Sequence, residues 1–173
     1  RTKVRREPTS RYAWEKEQAM EAPEQRGSVS IIDYDAGLSH TDVEDSAVYD
    51  SVPADVDLAT RFQVPPGTRL LRRQYRHRPR HEQHPLSLIT SYQPWDQAAR
   101  NPDLLDQTKE PWPGGTIHQL STINIEVMKF IDEISARPPT IQEADELGMP
   151  EGTAVFVIRK AAPDAPDNVV DVT

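Results

Sequence analysis

The chain of 173 residues contains no cysteine. Disulfides, thiolate zinc sites and a cysteine nucleophile are thereby excluded, and a cytoplasmic location is expected, since a reducing compartment asks for no such bridges. No run of about 18 apolar residues occurs, the length a helix needs to cross a bilayer, so no membrane partner is expected. The opening Arg1-Thr2-Lys3-Val4-Arg5-Arg6 is followed by no apolar stretch, and no signal peptide is expected. Positive charge is also in deficit. The net charge is −8, whereas a free-standing nucleic-acid reader carries a basic face because phosphate contacts supply most of its affinity. Glycine is scarce, at 7 residues against 16 prolines, and the prolines punctuate the chain without forming a repeat.

The catalytic signatures are missing as well. There is no nucleophile elbow, no glycine-rich phosphate loop and no metalloprotease helix motif. Asp132 and Glu133 are neighbours on one strand and so face opposite ways, which is not a converging acid–base pair. No enzyme activity and no cofactor are expected. His77, His81 and His84 are close in sequence, but they share a loop tip with Arg78 and Arg80, which sets cations beside any metal. No metal site is expected there.

What remains is one ordinary domain, long enough to bury roughly 70% of its unfolded surface. Residues 1–10 are polar and basic and read as a linker from a domain N-terminal to Arg1. Ser10 is placed to cap a helix reaching Glu21, and 28–34 is β-rich. His40–Tyr49 alternates weakly, as a second strand would. Val52-Pro53 then opens a helix whose apolar stripe is Ala54, Leu58, Ala59 and Phe62, stopped at Pro65-Pro66-Gly67.

The clearest hairpin comes next, with strands 70–77 and 86–92 joined by a long charged loop whose tip is expected to be solvated and mobile. Alternation puts Leu71, Arg73, Tyr75 and His77 on one face and Leu70, Arg72, Gln74 and Arg76 on the other. Residues 101–113 read as irregular. A short helix follows Gly114-Gly115-Thr116, from Ile117 to about Asn124, and 125–137 reads as one long strand. Thr140 with Glu143 forms a capping box, and Gly148 closes the helix it starts. Strands over 153–161 and 169–173 complete an α+β chain with a mostly antiparallel sheet and flanking helices.

The ordered series Pro113-Gly114-Gly115-Thr116, Ile134-Ser135-Ala136-Arg137-Pro138-Pro139-Thr140-Ile141-Gln142-Glu143-Ala144 and Leu147-Gly148-Met149-Pro150-Glu151-Gly152-Thr153-Ala154-Val155 resembles the UTRA domain. That is the effector-binding domain of GntR transcription regulators of the HutC subfamily. Ser91-Tyr92-Gln93-Pro94, Val52-Pro53-Ala54 with Leu58-Ala59-Thr60-Arg61-Phe62, Gly67-Thr68 and Ser10-Arg11-Tyr12 fit the same pattern. The resemblance spans about residues 10–173, so the linker is 1–10 and the UTRA domain 11–173. It implies a chorismate-lyase-like fold with a ligand pocket on one side of the sheet, a homodimer built through this domain, and a winged helix-turn-helix domain N-terminal to it. Operator DNA would be bound by that domain and not by this segment.

The resemblance also implies an effector site. On the first hairpin strand, where the family often carries two arginines two residues apart, stand Tyr75 and His77, with Arg73 one step earlier on the same face. On the returning strand Ser87, Ile89 and Ser91 face the same way, and Ile89 replaces a frequent glutamate. Thr116 and His118 lie at a helix start suited to an anion; capping by Thr116 is the plain alternative. Ser39, His40 and Thr41 match an early loop that closes over ligands, or form a polar turn. Asp171 stands where the family tends to carry a glutamate on the last strand. The effector expected is a small and anionic molecule, such as a phosphosugar or a carboxylate. Two other functions fit the same residues: a stand-alone small-molecule-binding or lyase-like protein, and a dimerisation module without a working pocket.

Overall fold

The computed structural model describes residues 42–112 and 115–173. The helix expected from Ser10, the strand expected over 28–34 and the loop Ser39-His40-Thr41 lie outside the described residues. Among the described residues six strands form one antiparallel sheet in the spatial order β1-β2-β3-β6-β5-β4. They are β1 (Val43–Pro53), β2 (Arg69–Pro79), β3 (Ser87–Pro94), β4 (Ile131–Arg137), β5 (Val155–Ala165) and β6 (Asn168–Val172). The short helices among the described residues are α1 (Val56–Phe62), α2 (Trp95–Ala98), α3 (Gly115–Ser121) and α4 (Ile141–Leu147). Two 3₁₀ turns, Pro102–Leu105 and Gln107–Lys109, lie between α2 and α3. The α+β class with a mostly antiparallel sheet read from the sequence is the class observed. Among the described residues no helix is long and apolar enough to cross a membrane.

Each face of the sheet has its own core. On one face α1 lays Leu58, Ala59 and Phe62 against Leu70 and Val172. On the other, Leu71 and Val170 pack with Ala98, Leu104, Leu120, Ile123 and Ile125 from α2, the first 3₁₀ turn and the end of α3. Leu70 and Leu71 are adjacent on β2 and both fully buried, so the strand is sandwiched at this end and its side chains divide between the two clusters.

Local chemistry explains the helix ends. Asp55 Oδ1 accepts the Leu58 N–H at 2.8 Å, and the chain leaves α1 through Gln63 at φ 53°. The capping box of α4 is present in both directions: Glu143 N–H donates to the Thr140 hydroxyl at 3.2 Å, and Thr140 N–H donates to Glu143 Oε2 at 2.7 Å. Gly148 ends α4 at φ 60°.

Several details differ from the sequence reading. Pro53 is the last residue of β1, paired with Arg69, and α1 starts three residues later behind the Asp55 cap. β1 ends the row of described strands, a place where a residue without an N–H is tolerated. The stretch 125–137 is a strand only from Ile131; Ile125 is instead buried beneath the end of α3, where its N–H donates to Leu120 O at 3.0 Å. α3 begins at Gly115 and not Ile117, and the chain turns out of it through Asn124 at φ 59°. The hairpin tip carries exposed His81, Glu82 and Gln83, yet its return side lies against α4, with His84 at Gly148.

Candidate functional site

The β2–β3 register places Arg73 opposite Ser91, Tyr75 opposite Ile89 and His77 opposite Ser87. All six were read from alternation as one face, and directly opposed residues in an antiparallel pair share a face. β1 adds Tyr49 opposite Arg73. This is the face roofed by the two 3₁₀ turns and α3.

Arg73 lies at the centre with 1% of its surface exposed. Its Nη2 donates to Gln93 Oε1 at 2.9 Å and to Leu104 O at 3.3 Å, and its guanidinium carbon stands 5.4 Å from the centroid of the Tyr49 ring. Both hydrogen-bond acceptors are neutral. Arg73 Nε and Gln93 Nε2 are buried donors without partners, and burying a cation on such terms is costly.

Asp171 on β6 is also buried. Its carboxylate accepts the Ser91 hydroxyl at 2.9 Å and the Thr173 hydroxyl at 3.0 Å. Desolvation raises its pKa above the ordinary carboxylate value and outweighs the opposing pull of Arg73, the two hydroxyls and Lys160.

A second group completes the face from the irregular segment before α3. Glu110 accepts the Tyr75 hydroxyl at 3.0 Å and the Gln119 side-chain amide at 3.5 Å on Oε1, where the Tyr49 hydroxyl also donates. Its Oε2 accepts the Trp112 N–H at 3.0 Å. The Tyr49 and Tyr75 rings meet edge to face, 6.3 Å between centroids. Burial raises the pKa of both phenols, and the neighbouring Glu110 carboxylate adds to the rise, so both act as neutral donors. Trp112 carries a further buried donor without a partner, Nε1, and its ring packs edge to face on His118 at 5.7 Å.

The residues read from the sequence are thus partly convergent. Arg73, Tyr75, Ser91 and Asp171 form one contiguous group, and His118 joins it through Trp112 and Glu110. Ile89 is the apolar neighbour of Tyr75. His77 and Ser87 share the face but lie towards the hairpin tip, where His77 Nδ1 stands 2.5 Å from Asp45 Oδ1. Thr116 sits half-buried in the first turn of α3. Ser39, His40 and Thr41 are outside the described residues. Among the described residues no group of three or more His, Asp or Glu side chains is arranged to hold a metal ion.

Five contributors escaped the sequence reading: Tyr49, Gln93, Glu110, Trp112 and Gln119. Gln93 had a signal, since it continues the alternation of Ser87, Ile89 and Ser91. Glu110 had none, because its place is set by donors on three other elements.

Sheet order, roofed face and buried polar group together define an α+β domain with a candidate binding site on one face of an antiparallel sheet. The family model for the UTRA domain matches residues 46–173. The chain belongs to the UTRA domain family. It is similar in fold to a solved GntR-family transcriptional regulator at 24% identity and a TM-score of 0.66, covering 75% of this chain and 52% of that one. Against that first relative the chain spans about half the length. The effector domain of PhnF from Mycobacterium smegmatis is similar at 19% identity and a TM-score of 0.60, over 84% of this chain and 86% of that one. A transcriptional regulator from Streptomyces coelicolor follows at 21% and 0.62, over 75% and 85%. No curated protein matches the chain.

Proposed function

We propose that this chain is the effector-sensing and dimerising domain of a bacterial transcription regulator of the GntR type, HutC subfamily. A small anionic molecule binds on the Arg73 face and shifts the equilibrium between two arrangements of the dimer. A winged helix-turn-helix domain, joined through residues 1–10, reads operator DNA, and residues 11–173 do the sensing in the cytoplasm. No catalytic step is assigned. A ligand shifts such an equilibrium only by its differential affinity for the two states.

The observation that carries this reading is the buried Arg73, whose Nε, like the Gln93 amide beside it, has no partner. These are donors in wait for an acceptor on the face where the resemblance puts the effector. The solved relatives, described as GntR-family regulators and as an effector domain, support the regulatory setting. The net charge of −8 supports leaving DNA to another domain.

A homodimer is supported by a second observation. Towards β4 and β5 the same sheet face is apolar and bare: Ile134 is 68% exposed, Phe156 82% and Ile158 48%. Ile134 pairs with Ile158 and Ala136 with Phe156, so these side chains form one patch.

The test is a thermal-shift screen against carboxylic acids, phosphosugars, amino acids and apolar metabolites. A ligand that binds only the native state stabilises it by about 2.7 kcal/mol at a hundredfold excess over Kd. A hit that is lost in Arg73→Met supports the reading. Unchanged melting across the panel overturns it in favour of a dimerisation module without a working pocket.

A further inference from the structure

We propose that the donors around Glu110 form a carboxylate-binding subsite, and that Glu110 is its resident occupant, displaced when a small monocarboxylic acid binds. The proposal deepens the effector reading of this face and rests on it for its biological role.

Four neutral donors converge on this one carboxylate, three from other elements and one from its own segment. The Tyr49 hydroxyl comes from β1, the Tyr75 hydroxyl from β2, the Gln119 amide from α3, and the Trp112 N–H from the segment that carries Glu110 itself. The cradle therefore belongs largely to the rigid sheet and to α3, whereas its occupant hangs on the irregular connection after the second 3₁₀ turn. No ion pair among the described residues includes the half-buried Glu110, so neutral donors alone hold its charge. The nearby cation, Arg73, bonds neutral oxygens and keeps Nε unmet. A cradle of neutral donors accepts one carboxylate in place of another without changing its charge.

The same geometry selects the ligand. The cradle consists of neutral donors only, so a phosphate dianion finds no paired cation among them, and an unpaired buried charge is costly. A monoanion with two oxygens matches what the four donors already hold. The neighbours of the cradle are apolar, since Tyr49 packs on the cluster that holds Leu104 and Ile89 stands opposite Tyr75, so the acid that fits carries an apolar body. Displacement has a structural consequence. The segment that carries Glu110 is also held by Gln107, whose Oε1 accepts the Tyr49 N–H at 3.2 Å, so expelling Glu110 loosens the roof between the 3₁₀ turns and α3.

A tethered carboxylate competes with free ones at an effective concentration of roughly millimolar or more. Removing it exposes the cradle. In Glu110→Ala the melting temperature is expected to fall, and acetate or propionate is expected to restore it where chloride and sulfate at equal ionic strength do not. Propionate is expected to bind Glu110→Ala at least tenfold more tightly than the wild type by calorimetry, and adding Tyr49→Phe should remove most of that gain. A response to carboxylates no larger than the response to chloride overturns the proposal. If Glu110→Ala does not fold, Glu110→Gln keeps the side chain's bulk and should still bind propionate at least tenfold more tightly than the wild type; equal affinities overturn the proposal. Rescue by propionate with no hit in the metabolite screen retains the cradle and rejects the effector reading. A metabolite hit without carboxylate rescue rejects the cradle alone.

Discussion

The Ser91 hydroxyl donates to Oδ2 of Asp171 at 2.9 Å, joining β3 to β6 through two buried side chains. Ser91 is directly opposite Arg73 on β2, so the bond fixes a carboxyl group beside the buried guanidinium. Ser91→Ala leaves Asp171 short of one donor, and a buried polar group left unsatisfied costs about 1–3 kcal/mol. Urea denaturation of the variant should show a loss of that order. A loss well below 0.5 kcal/mol would mean that water already serves the carboxyl group.

The titration of Asp171 has a definite sign. Its folded pKa is raised above the ordinary 3.8 by desolvation. The folded protein therefore holds the proton more tightly than the unfolded chain, and stability is lost as pH rises from the ordinary carboxylate value through the raised one. Asp171→Asn carries no charge to desolvate. Its melting temperature relative to wild type should rise between pH 4 and pH 7, and a constant difference across that range would contradict the assignment.

Gly148 is constrained twice. It ends α4 at φ 60°, a region that costs an L-residue about 1–2 kcal/mol, and a Cβ built there collides with the His84 ring. Gly148→Ala should destabilise by at least the backbone cost and should also push the hairpin tip away from α4. Removing the ring with His84→Ala relieves only the second effect. The double variant should therefore be more stable than the sum of the single losses predicts, by roughly 0.5 kcal/mol or more. Strict additivity would show that the ring swings aside freely.

Much of this arrangement was legible because strands write themselves in period two. The order Leu71, Arg73, Tyr75, His77 against Ser87, Ile89, Ser91 follows from alternation alone, and the observed register agrees with it. The Thr140–Glu143 box and the Gly148 stop are equally local, since each is satisfied within one turn. Ile125 shows where alternation misleads. Its apolar side chain was read as a strand position, but it is buried because the chain returns beneath α3. Tyr49 and Glu110 show the other limit. Each finds its partner about sixty residues away in the chain, at a separation of 61, and no local pattern records such a meeting.

Glu143 ties the start of α4 to the end of β4. Its carboxylate takes Arg137 Nη1 and Nη2, both at 2.7 Å, and the Thr140 N–H. The Arg137 hydrogen bonds, followed by those from Thr140, hold its pKa down at about 2. This lowered value supports the fold above the ordinary value of 4.5, and the support is lost as pH falls towards 2. Glu143→Gln should flatten the acid limb of the stability curve in that window. Thr140→Ala, which removes the hydroxyl cap, should cost about 1 kcal/mol near neutral pH, where Glu143 is fully ionised. An acid limb that is the same in Glu143→Gln and wild type would place the titration elsewhere.

The two faces of the β4–β5 ribbon are unlike, and under the proposed dimer that contrast predicts which face two copies share. One face carries Glu133 and Arg159, which join Arg61 and Asp57 of α1: Arg61 Nη2 stands 3.1 Å from Glu133, and Arg159 stands 3.8 Å from Asp57. That face is tied to α1 of its own chain through these ion pairs. The other presents Ile134, Phe156 and Ile158 to solvent, and a contiguous apolar patch of this kind marks a contact surface. Wild-type protein should sediment as a dimer. Phe156→Glu puts a charge at the centre of the patch and should yield monomers. Because Phe156 is 82% exposed within the chain, the variant should keep its circular dichroism spectrum, and its melting temperature should fall only by what dimerisation contributes, a loss that shrinks on dilution. The reverse charge test is Glu133→Lys on the opposite face, which should weaken the contacts with α1 and leave the dimer intact. A wild-type monomer, or dimers that survive Phe156→Glu unchanged, would move the interface away from this patch.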